Sequence, residues 1–147
     1  MYKRILVGVD GSDTSNKALA EAIRLAEDAN TIMRIVYVVE EPAINLEPGF
    51  DFDDFRRMLR ADGEKFLAAA RSEASRAGRK SEAALIEPPP FGARPSDSIV
   101  AEAARWPAEV IVLGTHGRRG LHRLLLGSVA EGVVRASTVP VLLVRSQ

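Results

Sequence analysis

The chain contains no cysteine and only two histidines. The absence of cysteine excludes a disulfide framework and thiolate metal sites, and it suits a reducing compartment. The two histidines, His116 and His122, stand six residues apart with no cysteine nearby, which is not a recognisable zinc-ligand spacing. We therefore predict no metal site built from protein side chains.

Net charge and long apolar runs are also absent. The 20 basic and 20 acidic side chains cancel, so no overall field attracts nucleic acid or an anionic membrane, and we predict neither as a partner. No segment approaches the roughly 20 apolar residues of a membrane span. The first apolar run stops at Asp10, too early for the core of a signal peptide. We expect a cytoplasmic protein.

The composition is that of an ordinary globular chain: 147 residues, 46% hydrophobic and 27% charged. This length predicts one domain over residues 1–147 with a sizeable core. Five short apolar runs are continuous and rich in β-branched residues, a pattern typical of strands buried on both faces of a parallel sheet. The runs cover residues 5–9, 33–39, 83–86, 110–113 and 139–144.

Helical periodicity fills the segments between these runs. Apolar residues recur at helical spacing in residues 18–26, in residues 52–70 and around Ile99, and a further helix should begin at Ser128 with a capping box that ends at Glu131. Strands that alternate with helices form βαβ units. The predicted fold class is therefore α/β, an open five-stranded parallel sheet with helices on both faces.

A glycine-rich connection follows the fourth run, with the pattern Gly114-x2-Gly117-x9-Gly127-Ser128. In such sheets, ligands bind beyond the carboxyl ends of the strands. Glycines let main-chain N–H groups approach an anion, and a helix N-terminus attracts phosphate. Three arginines at positions 118, 119 and 123 add positive charge. Chemistry alone leaves phosphate binding and a purely structural turn as equal alternatives.

The whole chain resembles the ATP-binding members of the universal stress protein family. The glycine pattern matches the nucleotide-binding signature of that family, and "ILVGVDGSDTSNKAL" is similar to its opening strand and turn. "RIVYVVEEP" and "GSVAEGVVRASTVPVLLVR" are similar to its second strand and to its final helix and strand. The resemblance implies a Rossmann-like adenine-nucleotide-binding fold with strand order 3-2-1-4-5.

The resemblance also implies roles for individual residues. Asp10 matches a residue that contacts the ribose, Val38 matches one that meets adenine through its main chain, and the glycine loop matches one that wraps the phosphates. For Asp10 the alternative is a purely structural turn before the first helix. The residues predicted to bind the nucleotide are Val9, Asp10, Val38, Gly114, His116, Gly117, Gly127, Ser128 and Val129, with Arg118 added for its charge.

The predicted function is that of an ATP-binding stress-response or signalling protein, with Mg²⁺ as the accompanying ion. No general base, carboxylate pair or nucleophile is identifiable, so we assign no catalytic residue. The nucleotide would act as a switch on the acidic segment from Glu40 to Asp51 and expose a surface for an unidentified protein partner. A slow ATPase or nucleotidyl-transfer enzyme is the first alternative, and a nucleotide-free interaction module is the second.

Other features have structural interpretations. The last apolar run, from Val139 to Val144, would lie at a sheet edge and pair with a second copy to form a homodimer, as the resemblance also implies. The acidic residues at positions 51, 53 and 54 are predicted to favour a helix dipole rather than bind magnesium. The stripe from Phe52 to Phe66 and the side chain of Trp106 are predicted to belong to the core.

Overall fold

A computed structural model describes residues 1–41, 47–89, 93–117 and 126–146. The strands are β1 (Arg4–Gly8), β2 (Ile32–Val38), β3 (Lys80–Ile86), β4 (Val110–Gly114) and β5 (Val141–Val144). The helices are α1 (Asp13–Leu25), α2 (Phe52–Arg76), α3 (Pro95–Arg105) and α4 (Ser128–Ala136). The strands form one parallel sheet in the order β3-β2-β1-β4-β5, which confirms the predicted fold class and strand order.

Strand β1 lies at the centre of this sheet and is buried on both faces. Ile5 and Val7 pack in a cluster with residues of α1 and α2, whereas Leu6 packs in a second cluster with residues of α3 and α4. All three side chains are 0% exposed. The continuous apolar runs in the sequence therefore reflect two separate cores, one on each face of the sheet.

Two helices begin with a side-chain cap, and a third begins with proline. The Ser12 side chain accepts a hydrogen bond from the main-chain N–H of Ser15 at the start of α1, and Asp51 accepts from Asp53 and Asp54 at the start of α2. This confirms the structural interpretation of the acidic cluster. Helix α3 begins instead with Pro95. Proline lacks an N–H, but the N–H groups of a first turn have no partner within the helix, so no helical hydrogen bond is lost.

Three predictions of detail were wrong. Gly127, not Ser128, is the N-cap of α4, and no side chain caps it, so the capping box does not form. Phe52 is 48% exposed rather than part of the core, and it meets the Phe50 ring edge to face. Strand β3 begins at Lys80 rather than Ala83, because its first residues pair with β2 although they are not apolar.

An ion network ties α3 to the sheet near the amino ends of the strands. The Arg34 guanidinium on β2 lies 2.6 Å from both Glu102 on α3 and Glu82 on β3. It also lies 5.1 Å from the centre of the Trp106 ring, whose N–H donates to Glu82 at 3.1 Å. The Arg34 hydrogen bond, assisted by that of Trp106, lowers the pKa of Glu82, so the Glu82 carboxylate stays charged to lower pH. Trp106 therefore packs in this region as predicted.

No helix within the described ranges is long and apolar enough to cross a membrane.

We expect Arg34→Met to destabilise the fold by about 3 kcal/mol, because it leaves the buried Glu102 carboxylate with only one surface arginine as a partner. The matched control is Arg24→Met, which removes an exposed pair with Glu21 and should destabilise the fold far less. Urea denaturation measures both. Equal losses for the two variants would show that the network contributes no more than a surface pair.

Candidate functional site

A cavity of about 370 Å³ opens at the carboxyl ends of β1, β2 and β4. Its place follows from the strand order, since the chain leaves β1 towards β2 on one side and returns through β4 on the other. Nine of the ten predicted binding residues line this one cavity; the tenth, Arg118, lies outside the described residues. The nine are Val9, Asp10, Val38, Gly114, His116, Gly117, Gly127, Ser128 and Val129.

Asp10 closes the structural turn that was one of its two predicted alternatives, and it also lines the cavity. Its Oδ1 accepts a hydrogen bond from the Ser12 N–H at 2.8 Å, which closes a turn, and its own N–H donates to Ser15 Oγ at 3.2 Å. A Cβ added to Gly117 would lie 2.8 Å from Asp10 Oδ2, so the carboxylate packs directly against the glycine loop.

The start of α1 holds the beginning of the glycine loop. The buried Thr14 hydroxyl donates a hydrogen bond to the carbonyl oxygen of His116. A Cβ on Gly114 would lie 2.6 Å from Thr14 Oγ1 and 2.7 Å from the Thr14 carbonyl carbon. Only glycine permits this approach of β4 to α1, so Gly114 has a packing role in addition to its place in the cavity wall.

The His116 side chain has one ring nitrogen satisfied and one unsatisfied. Nδ1 lies 3.0 Å from Thr115 Oγ1, whereas Nε2 is buried and has no hydrogen-bond partner among the residues that the structure describes. An unpaired buried polar atom costs about 1–3 kcal/mol. A polar ligand atom that reached Nε2 would recover part of that cost.

The N-terminus of α4 forms the opposite wall of the cavity. Gly127 N donates to the Thr115 carbonyl at 2.7 Å, and a Cβ on Gly127 would lie 3.0 Å from that same oxygen. Ser128 and Val129 then begin the helix and line the cavity. The first N–H groups of a helix have no partner within it and carry about half a positive charge. This wall therefore favours an anion.

The sequence did not identify several residues of the wall. Glu40 lines the cavity and follows the second apolar run, so the rule that nominated Asp10 would also have nominated Glu40. Leu59 belonged to the stripe assigned to the core, and Pro95 and Ile99 come from the start of α3. No local signal in the sequence shows that these helices reach the site.

Protein ligands for a metal do not cluster in the part of the chain that the structure describes. No group of three or more histidine, cysteine, aspartate or glutamate side chains lies there in positions that could hold an ion. The polar atoms of the cavity are instead main-chain amides, hydroxyls, one imidazole and two carboxylates. Such a mixture suits an organic anion with hydroxyl groups.

Comparison with known proteins assigns the class. The universal stress protein family matches residues 1–145. Universal stress protein MJ0531 of Methanocaldococcus jannaschii is 34% identical over 146 residues, covering 99% of this chain and 83% of the relative. The chain belongs to the universal stress protein family.

Solved structures agree in fold. The protein MJ0577 aligns with a TM-score of 0.86 and 27% identity, covering 100% of this chain and 98% of its own. A universal stress protein in complex with cAMP aligns at 0.72 with 26% identity, covering 99% of each chain. The universal stress protein of Archaeoglobus fulgidus in complex with dAMP aligns at 0.68 with 25% identity, covering 97% of this chain and 98% of its own. Structural neighbours therefore bind adenine nucleotides.

Two glycines of the loop should respond differently to alanine. We expect Gly114→Ala to cost about 1–3 kcal/mol of stability, because its Cβ meets the main chain of Thr14. Gly117→Ala should cost less than about 1 kcal/mol, since its Cβ meets only the movable end of the Asp10 side chain. Urea denaturation of both variants checks this order, and a larger loss for Gly117→Ala would contradict it.

Proposed function

We propose that this protein binds ATP, accompanied by Mg²⁺, in the cavity at the carboxyl ends of β1, β2 and β4. One observation carries the proposal: nine residues nominated from the family resemblance, spread from Val9 to Val129, line a single cavity. Adenine nucleotides in structural neighbours support the choice of ligand.

The chemistry of the walls orients the nucleotide. Adenine lies against Val38 and its neighbours at the end of β2, where the cavity is apolar and main-chain groups are within reach. The ribose lies near Asp10, whose carboxylate accepts hydrogen bonds from hydroxyl groups. The phosphates lie between the glycine loop and the first turn of α4, where free N–H groups point at an anion.

The phosphate end would also satisfy His116. Its buried Nε2 is an unpaired polar atom in a residue of the cavity wall, and a phosphate oxygen is a strong acceptor for it. Arg118 adds positive charge in this proposal. Mg²⁺ would be held by phosphate oxygens and would neutralise phosphate charge.

We propose a switch with little or no catalysis, in which nucleotide binding acts on α2 and the segment that precedes it. Leu59 places α2 in the cavity wall. Three residues earlier on the same helix, Arg56 contacts Glu41 at 2.6 Å, at the start of the acidic segment. A ligand that presses on Leu59 therefore has a direct path to the 40–51 segment, of which residues 42–46 lie outside the described residues.

Calorimetric titration of Mg-ATP into nucleotide-stripped protein tests the site. We expect micromolar affinity, and Ser128→Ala should weaken it about tenfold by removing a hydroxyl at the start of α4. Ser98→Ala is the matched control, because Ser98 lies on α3 outside the cavity wall and its loss should leave the affinity unchanged.

The same samples separate the alternatives. A folded protein that gives no heat up to millimolar ATP would overturn nucleotide binding. Sustained release of ADP would favour the slow ATPase over the switch. Amide exchange in the 40–51 segment should slow at saturating ATP, and unchanged exchange would overturn the switch while leaving the binding site intact.

We also propose that β5 pairs with the β5 of a second copy to form a homodimer. β5 is an edge strand, and its four residues are all partly exposed. Ile111 N donates to the Pro140 carbonyl, and Thr115 N donates to that of Val144. Alternate residues of a strand direct their main-chain groups to opposite sides, so those of Val141 and Leu143 face the open edge. Strand β5 lies within the apolar run from Val139 to Val144 that the sequence predicted as the dimer edge.

Leu143→Pro should convert the dimer to a monomer, because proline removes an outward N–H without breaking a hydrogen bond to β4. Leu143→Ala is the matched control, since it shortens the side chain but keeps the N–H. Sedimentation equilibrium measures both variants. A dimer that survives Leu143→Pro would place the interface elsewhere, and a monomeric parent protein would overturn the proposal.

A further inference from the structure

Two adjacent glutamates follow β2 and have different surroundings. Glu41 contacts Arg56 on α2 at 2.6 Å and does not line the cavity. Glu40 lines the cavity, is exposed, and makes no hydrogen bond or ion pair with another residue that the structure describes. The Glu41 carboxylate is thus paired with α2, whereas the Glu40 carboxylate is available to a ligand.

The main chain holds Glu40 at the end of the sheet. The preceding residue, Val39, is buried, and its N–H donates to the Ile86 carbonyl at 2.8 Å. Val38, two residues before Glu40, is the proposed neighbour of adenine. Glu40 therefore follows the proposed adenine neighbour at the end of β2 and lines the same cavity as Asp10, the proposed ribose neighbour.

Asp10 already uses part of its acceptor capacity within the protein. One of its oxygens accepts the Ser12 N–H, and the other packs against Gly117. A ribose has two adjacent O–H donors, and a carboxylate offers only acceptors. In dinucleotide-binding folds, an acidic residue near the end of the second strand accepts the ribose 2′-hydroxyl and disfavours a 2′-phosphate.

We propose that Glu40 accepts a hydrogen bond from the ribose 2′-hydroxyl and thereby selects ribonucleotides over 2′-deoxy and 2′-phosphorylated nucleotides. The inference rests on the proposed function, because it assigns a residue to one group of the proposed ligand. A neighbour of the same fold holds dAMP, so the fold itself accepts deoxyribose. Discrimination at this position must then come from individual side chains, of which Glu40 is the one in place.

Calorimetry with two ligand pairs tests the proposal. ATP against 2′-deoxy-ATP probes the hydroxyl, and AMP against adenosine 2′,5′-bisphosphate probes the phosphate. We expect the protein to prefer ATP over 2′-deoxy-ATP by about tenfold or more, as for a hydrogen bond to a charged acceptor. Glu40→Gln should reduce this preference to about threefold or less and should improve binding of the bisphosphate relative to AMP.

Glu41→Gln is the matched control, because it removes the same charge one residue away from the cavity wall; it should keep both preferences. Equal affinity of the parent protein for ATP and 2′-deoxy-ATP would overturn the inference while the nucleotide site stands. An equal loss of preference in both variants would also overturn it, since a general field would then be responsible. Failure of every nucleotide to bind would instead overturn the proposed function. Circular dichroism confirms that each variant is folded.

Discussion

The burial of β1 on both faces is the constraint on which the rest of the structure depends. A strand in that position needs helices on each side, and the chain supplies them by leaving β1 in one direction and returning through β4 in the other. The two connections then diverge at the carboxyl end of the sheet. An opening between them is a geometric consequence of the strand order, and the cavity lies there.

The opening requires glycines in the loop, because neighbouring main-chain segments approach one another closely around the cavity. Gly114 packs on Thr14, Gly117 beside the Asp10 carboxylate and Gly127 on the Thr115 carbonyl. Side chains at these positions would fill the space that they border. Here, too, His116 Nε2 is buried without a partner among the described residues. The site is thus shaped by steric necessity and is polar because the fold cannot satisfy every group at this end.

Most of the fold and much of the site could be predicted from the sequence, because both depend on local patterns. Continuous apolar runs mark strands, and the glycine pattern with its following helix marks the loop. Features that depend on contacts between distant segments could not be predicted from local sequence patterns. Strand β3 begins with polar residues that only β2 orders. Leu59 reaches the cavity because the 25-residue helix α2 packs against β2 and β3, a tertiary contact that no local signal encodes. Glu40 could have been predicted as a cavity residue, because it follows a strand in the same way as Asp10 does. The family resemblance pointed to Val38 at that strand end instead.

The two ends of the sheet differ in role: the amino ends contribute to stability, and the carboxyl ends form the cavity. Towards the amino ends of the strands, carboxylates have partners: Arg34 joins two of them, and Glu109 accepts the main-chain N–H groups of Lys3 and Arg4, which lowers the pKa of Glu109. At the carboxyl ends, an imidazole nitrogen and the Glu40 carboxylate have no partner among the described residues. The buried imidazole nitrogen lowers stability unless a ligand supplies a partner, whereas the exposed Glu40 carboxylate is solvated at little cost. A ligand that binds only the folded state stabilises it by an amount that grows with the logarithm of the ligand concentration above Kd, so the nucleotide binding that we propose would make stability depend on nucleotide concentration.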